Sequence, residues 1–120
     1  VLFKGAISRE NLLNNLSIYD VILIPSLSEG FCLSAAEALM MSKPLICSDI
    51  PVFKEYIREG FNGLLFKSND YNELLAKILH VFNNRGVLKK LQENSRSTFL
   101  KRLHSKIMAE KYIIVYRNIL

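Results

Sequence analysis

The 120-residue sequence holds only two cysteines, three prolines and five glycines, and each scarcity removes a class of protein. Cys32 and Cys47 form no Cys-x-x-Cys pair and have no histidine close by in sequence. Two such thiols make neither a disulfide framework nor a metal-site spacing, and they fit a reducing cytoplasm. No Asp-x-Asp pair and no His/Asp cluster occurs, so no metal is expected. The apolar runs fall far short of the ~20 residues of a bilayer-spanning helix, so no helical span is expected. The opening "VLFKGAIS" has one lysine inside a short apolar run and no cleavage-like site, unlike a signal peptide. It reads as a strand end, which leads us to expect protein upstream of Val1. Sparse Gly and Pro, with half of the residues hydrophobic and 22% charged, exclude a disordered or fibrous chain. One core and one domain over 1–120 are expected, too little for two lobes closing on a substrate.

What is present alternates. "ENLLNNLSIY" has helical spacing, "DVILIP" reads as a buried strand closed by Pro25, and "SAAEALMMS" reads as a helix. "PLICS" is a strand, "VFKEYIREG" a short helix stopping at Gly60, and "NGLLF" a strand introduced by an Asn-Gly turn signal. Asp70 and Glu73 stand in a capping-box arrangement before a helix through Leu74, Ile78 and Phe82. From Val87 onward, residues 87–120 read as C-terminal helices. The pattern predicts an α/β class: a Rossmann-like parallel sheet flanked by helices. In such sheets ligands sit beyond the carboxyl ends of the strands, where "SLSEGFCL" emerges.

That segment carries the candidate chemistry. A Gly-containing loop running into a helix near Ser34 offers unpaired N–H groups and a partial positive charge, which suit a phosphate or pyrophosphate. Gly30 allows unusual backbone angles and close approach of a ligand. Glu29 repels phosphate and suits hydroxyl donors instead, as on a sugar. Glu37, one turn into the helix, suits a second pair of hydroxyls, such as those of a ribose. Hydroxyl acceptors on either side of an anion-binding helix start describe a nucleotide-sugar site. The alternative for Glu37 is structural: "SAAE" is also a capping box, with Glu37 reaching back to the Ser34 N–H.

The joint pattern "YDVILIPSLSEGFCLSAAEAL", with "VLFKG" before it and "NGLLF" after it, resembles the carboxyl-terminal domain of retaining, two-domain (GT-B) glycosyltransferases of the glycosyl transferases group 1 type. The family's E-x7-E pattern falls on Glu29 and Glu37. The resemblance implies that Glu29 contacts the transferred sugar. It implies that backbone N–H groups of Gly30, Phe31, Cys32 and Leu33 hold sugar and diphosphate, and that Glu37 takes the ribose hydroxyls. Cys32 stands where the family often has Gly. No base lies beside it in sequence, so a nucleophilic role is not expected. The resemblance further implies a UDP- or GDP-sugar donor, metal- and cofactor-independent chemistry, and an acceptor-binding amino-terminal domain toward which "SKIMAEKYIIVYRNIL" folds back. The family's phosphate-neutralising Arg and Lys would lie upstream, so the chain is expected to be a fragment that is inactive by itself.

Two competing readings remain at this stage. A nucleotide-sugar epimerase shares the fold; a phosphorylase would need a pyridoxal-bearing lysine with its own surroundings, and none is evident. A non-catalytic basic module would use the run from Lys89 to Lys111, within a net charge of +5. That run suits an anionic surface, with peripheral membrane contact as one form, or a solvated helix face. Phe99 alone among Phe, Tyr and Trp falls within it, too few for the stacking that single-stranded nucleic acid would require, so no nucleic-acid partner is expected. Cys47 is expected in the core, and His80 and His104 without catalytic roles.

Overall fold

A computed structural model describes residues 2–120. Three short strands, β1 (Ile22–Ile24), β2 (Leu45–Ser48) and β3 (Gly63–Phe66), form a wholly parallel sheet in the order β1-β2-β3. Ile22 stands opposite Leu45, and Ile46 opposite Leu64. Alternate side chains of a strand point to opposite faces, and both faces here are covered. Leu45 and Cys47 enter one core with Ala35, Ala38 and Leu39 of α2 (Leu33–Met40) and with Val52 and Phe53 of α3 (Pro51–Lys54). Ile46, Leu64 and Phe66 enter the other, against Val81 of α4 (Tyr71–Asn83) and Leu88 and Leu91 of α5 (Arg85–Thr98). This two-sided burial is why "PLICS" is a continuous apolar run rather than an alternating one.

The strand expected over "DVILIP" is shorter and less buried than its composition implies. β1 pairs on one side only, and Leu23 is exposed. It borders a groove of about 300 Å³ lined by Tyr19, Ile78, Phe82 and Leu88 among others. Leu2, Phe3 and Lys4 have no regular structure, contrary to the strand expected over "VLF"; Val1 lies outside the described residues. The helix before β1, α1 (Arg9–Leu16), opens on Ser8, whose Oγ accepts from Asn11 N at 3.3 Å. Among its residues only Leu16 is buried.

Further expectations shift at element ends. The helix over "VFKEYIREG" stops at Lys54, and the chain reaches Gly60, at φ +69°, through turns. Asp70 caps α4 as expected, accepting from Glu73 N at 2.9 Å. Glu73 does not complete the box: its carboxylate accepts from Lys67 N at 2.8 Å instead. The turn signal at Asn62-Gly63 holds: the chain turns through Gly60, Phe61 and Asn62 and enters β3 at Gly63. Asn62 is buried, donates to Tyr56 O (2.8 Å) and Thr98 Oγ1 (2.9 Å), and accepts from Arg58 N (2.7 Å). Its carbonyl takes the Ser95 hydroxyl at 3.1 Å. A Cβ on Gly63 would stand 2.7 Å from the Leu45 carbonyl oxygen, so only glycine allows this approach of β3 to β2.

A π-helical turn (Phe99–Leu103) follows α5, and α6 (Ser105–Ile119) follows that, with His104 Nδ1 accepting from Lys106 N at 3.2 Å. No residue of α6 is buried. The helix projects from a molecule measuring 52 × 29 × 28 Å. No helix among the described residues is long and apolar enough to cross a membrane.

Candidate functional site

The strand β1 ends at Ile24, and the loop from Pro25 to Phe31 leaves its carboxyl end and enters α2. Two hydrogen bonds hold this loop. The Ser26 hydroxyl donates to Glu29 Oε1 at 2.7 Å, and Tyr56 Oη donates to the Phe31 carbonyl at 3.1 Å. The Phe31 and Tyr56 rings lie tilted, with centroids 6.3 Å apart. Within the helix start, Ala35 N and Ala36 N both donate to Cys32 O, at 3.0 and 3.4 Å. Ahead of them, the N–H groups of Gly30, Phe31, Cys32, Leu33 and Ser34 have no acceptor among the described residues. A helix start always leaves donors over; here the loop extends that row outward from it.

Two expectations about this segment change. The helix opens at Leu33 with Cys32 as its cap residue, so Ser34 is already inside the first turn and caps nothing. The capping box over "SAAE" is therefore absent. Glu37 is buried and instead accepts from Arg9 Nε through Oε1 at 3.0 Å. The unusual backbone expected at Gly30 is found at Cys32, at φ 60° and ψ 78°. Gly30 has no positive φ, and a Cβ there would meet nothing within 4 Å. A left-handed conformation costs a side-chain-bearing residue on the order of 1 kcal/mol, which glycine avoids. The strain at Cys32 gives a physical reason for glycine at such a position.

The thiols and the phenol around the loop stay protonated at neutral pH. Burial pushes the Cys47 thiol up to about 12, with Cys32 and Glu59 adding to it. Burial is also the main cause raising Cys32, opposed by the Ala35 N–H and reinforced by Glu29. Tyr56 is raised chiefly by burial, so it keeps the proton that it donates to Phe31 O. Neither cysteine has thiolate character, and nucleophilic attack by Cys32 finds no support.

All six residues singled out in the sequence sit on this one loop–helix unit. Gly30, Phe31 and Leu33 are exposed, Glu29 and Cys32 half-buried, and Glu37 buried. Sequence reading missed Arg9 and Tyr56, which come from α1 and from beyond α3. A cation at the first position of α1 was the only available signal for Arg9. Other residues are engaged locally: Asp49 pairs with Lys54 at 3.3 Å and Asp20 with Arg85 at 3.5 Å. Every lysine and arginine from Lys89 to Lys111 is exposed, which suits a solvated face and an anionic partner alike.

The family model for glycosyl transferases group 1 matches residues 1–98. An uncharacterized glycosyltransferase of Methanocaldococcus jannaschii is 36% identical over 98 residues, which is 82% of this chain and 26% of that protein. The Campylobacter jejuni N,N'-diacetylbacillosaminyl-diphospho-undecaprenol alpha-1,3-N-acetylgalactosaminyltransferase is 27% identical across the whole chain, covering 31% of its own length. The sucrose-phosphate synthase structure from Thermosynechococcus elongatus superposes with a TM-score of 0.88 at 26% identity, covering 98% of this chain and 30% of that one. The chain thus spans about a quarter to a third of each of these three proteins. The α/β, Rossmann-like class and its place as part of a GT-B fold rest on this agreement. On the family match, the relatives and the fold together, the chain belongs to the glycosyl transferases group 1 family.

Proposed function

We propose that this chain is the donor-binding domain of a retaining glycosyltransferase that moves a sugar from a nucleoside-diphosphate sugar to an acceptor. The observation that carries the proposal is the row of unpartnered amides from Gly30 to Ser34, with Glu29 at one end and Glu37 beyond the other. Glu29, steadied by Ser26, accepts from the hydroxyls of the transferred sugar. The amides of Gly30, Phe31, Cys32 and Leu33 hold sugar and diphosphate, at the positive end of α2. Glu37 accepts from the ribose. Aligned main-chain dipoles of this kind stabilise the charge that develops as the diphosphate leaves. No metal or cofactor has a part in this scheme.

Transfer needs more than this half of a cleft. Cations to neutralise the leaving diphosphate and a domain to hold the acceptor are assigned to the rest of the protein, in keeping with the span of the relatives. The exposed apolar side of α6 is the place we assign for contact with that domain. Positioning by two lobes accounts for a large part of such a barrier, so this chain alone is expected to bind nucleotide weakly and transfer nothing. The acceptor is a glycan or a lipid-linked precursor, the latter in line with the undecaprenol-linked substrate in the Campylobacter protein's name. Cytoplasmic placement with peripheral contact at the inner membrane face suits such a substrate.

The test is saturation-transfer NMR on this chain with UDP, GDP and their sugars. Ribose protons should receive saturation, and Glu37→Ala should remove that signal. Equal ribose signals from Glu37→Ala and the unsubstituted chain would refute the assignment.

A further inference from the structure

Arg9 occupies a position that local physics disfavours. It is the first residue of α1, where the helix dipole presents its positive end and anions are preferred; its neighbour Glu10 follows that rule. A local rule broken in a folded chain points to a compensating contact elsewhere. Here the compensation is Glu37, 28 positions away, whose side chain is 8% exposed while that of Arg9 is 72% exposed. A carboxylate removed from water needs a countercharge, and Arg9 supplies it. The bond uses Arg9 Nε and one oxygen of Glu37. A carboxylate offers about four lone-pair sites, so most of its acceptor capacity is left for incoming hydroxyls.

We infer that Arg9 is a positioning residue of the donor site: its bond to Oε1 fixes which edge of the Glu37 carboxylate meets the ribose. This rests on the ribose assignment of Glu37 above. Arg9 then acts through Glu37, and losing it should blur recognition of the ribose in the folded protein.

The experiment compares affinities of the full-length protein for UDP against 2′-deoxy-UDP, and for GDP against 2′-deoxy-GDP. A ribose hydroxyl held by a charged acceptor should give the unsubstituted protein a preference of about tenfold for the ribonucleotide. Arg9→Met, and Arg9→Gln as a second uncharged variant, should bring the ratio close to one when measured well below each variant's thermal unfolding midpoint. Glu37→Ala should do the same. A ratio that survives both Arg9 variants but collapses in Glu37→Ala overturns the role of Arg9 and leaves the ribose assignment standing. A ratio that survives Glu37→Ala sinks the ribose assignment, and the role of Arg9 with it.

Discussion

Helices α5 and α6 have nearly equal lengths, 14 and 15 residues, and both carry an apolar stripe, yet only one is built into the molecule. α5 buries Leu88, Leu91, Ser95 and Thr98, while α6 buries nothing. Met108, Tyr112, Val115 and Ile119 follow one another at helical spacing along α6, and all are exposed. An amphipathic pattern states that a helix has a face to bury; it does not say against what. α5 finds the second face of the sheet through its apolar residues and the buried Asn62 through its polar ones. α6 finds no such surface in this chain.

Three variants sharpen or break that contrast. Leu91→Ala should cost the most, about 2–5 kcal/mol, because it opens a cavity against Leu64 and Phe66 that the sheet cannot close. Urea unfolding measures it, and a loss below about 1 kcal/mol would mean that α5 is not anchored as described. Asn62→Ala should follow, at about 2–3 kcal/mol, since it strands buried partners on both the α3–β3 connection and α5. Hydrogen exchange should then quicken in the last turn of α5 more than in β2. Met108→Gln with Val115→Gln should move stability by no more than about 0.5 kcal/mol, as expected of exposed sites. A loss rivalling that of Leu91→Ala would erase the difference between the two helices.

Much of the fold was legible because short apolar runs and helical spacings are local properties. β2, β3 and α4 lie close to where "PLICS", "NGLLF" and the Asp70 cap place them. The misreadings share a cause: each depended on a partner distant in sequence. "DVILIP" looks as buried as "PLICS", but burial depends on what covers the faces of a strand: β3 is an edge strand too and is largely buried, whereas Leu23 of β1 faces an open groove. Asn62-Gly63 does lead from a turn into β3, but its further roles were unreadable: the asparagine serves Tyr56 and Thr98, and the glycine makes room for the Leu45 carbonyl. In the site, the loop–helix unit and its two glutamates were readable from types and spacing. The cap at Cys32 was not, because a left-handed φ leaves no mark on a cysteine. Arg9 was hidden because its one local signal, a cation at the start of α1, does not name a partner 28 positions away.

The unpacked last helix also sets how the chain moves through water. A helix of 15 residues is about 22 Å long, and the radius of gyration is 15.6 Å, against roughly 14 Å for a compact chain of this size. One axis of 52 Å beside two below 30 Å makes the particle closer to a rod than to a ball. Its rotational diffusion is therefore anisotropic: end-over-end tumbling is slower than spinning about the long axis, and nuclear relaxation rates vary with the direction of each N–H bond.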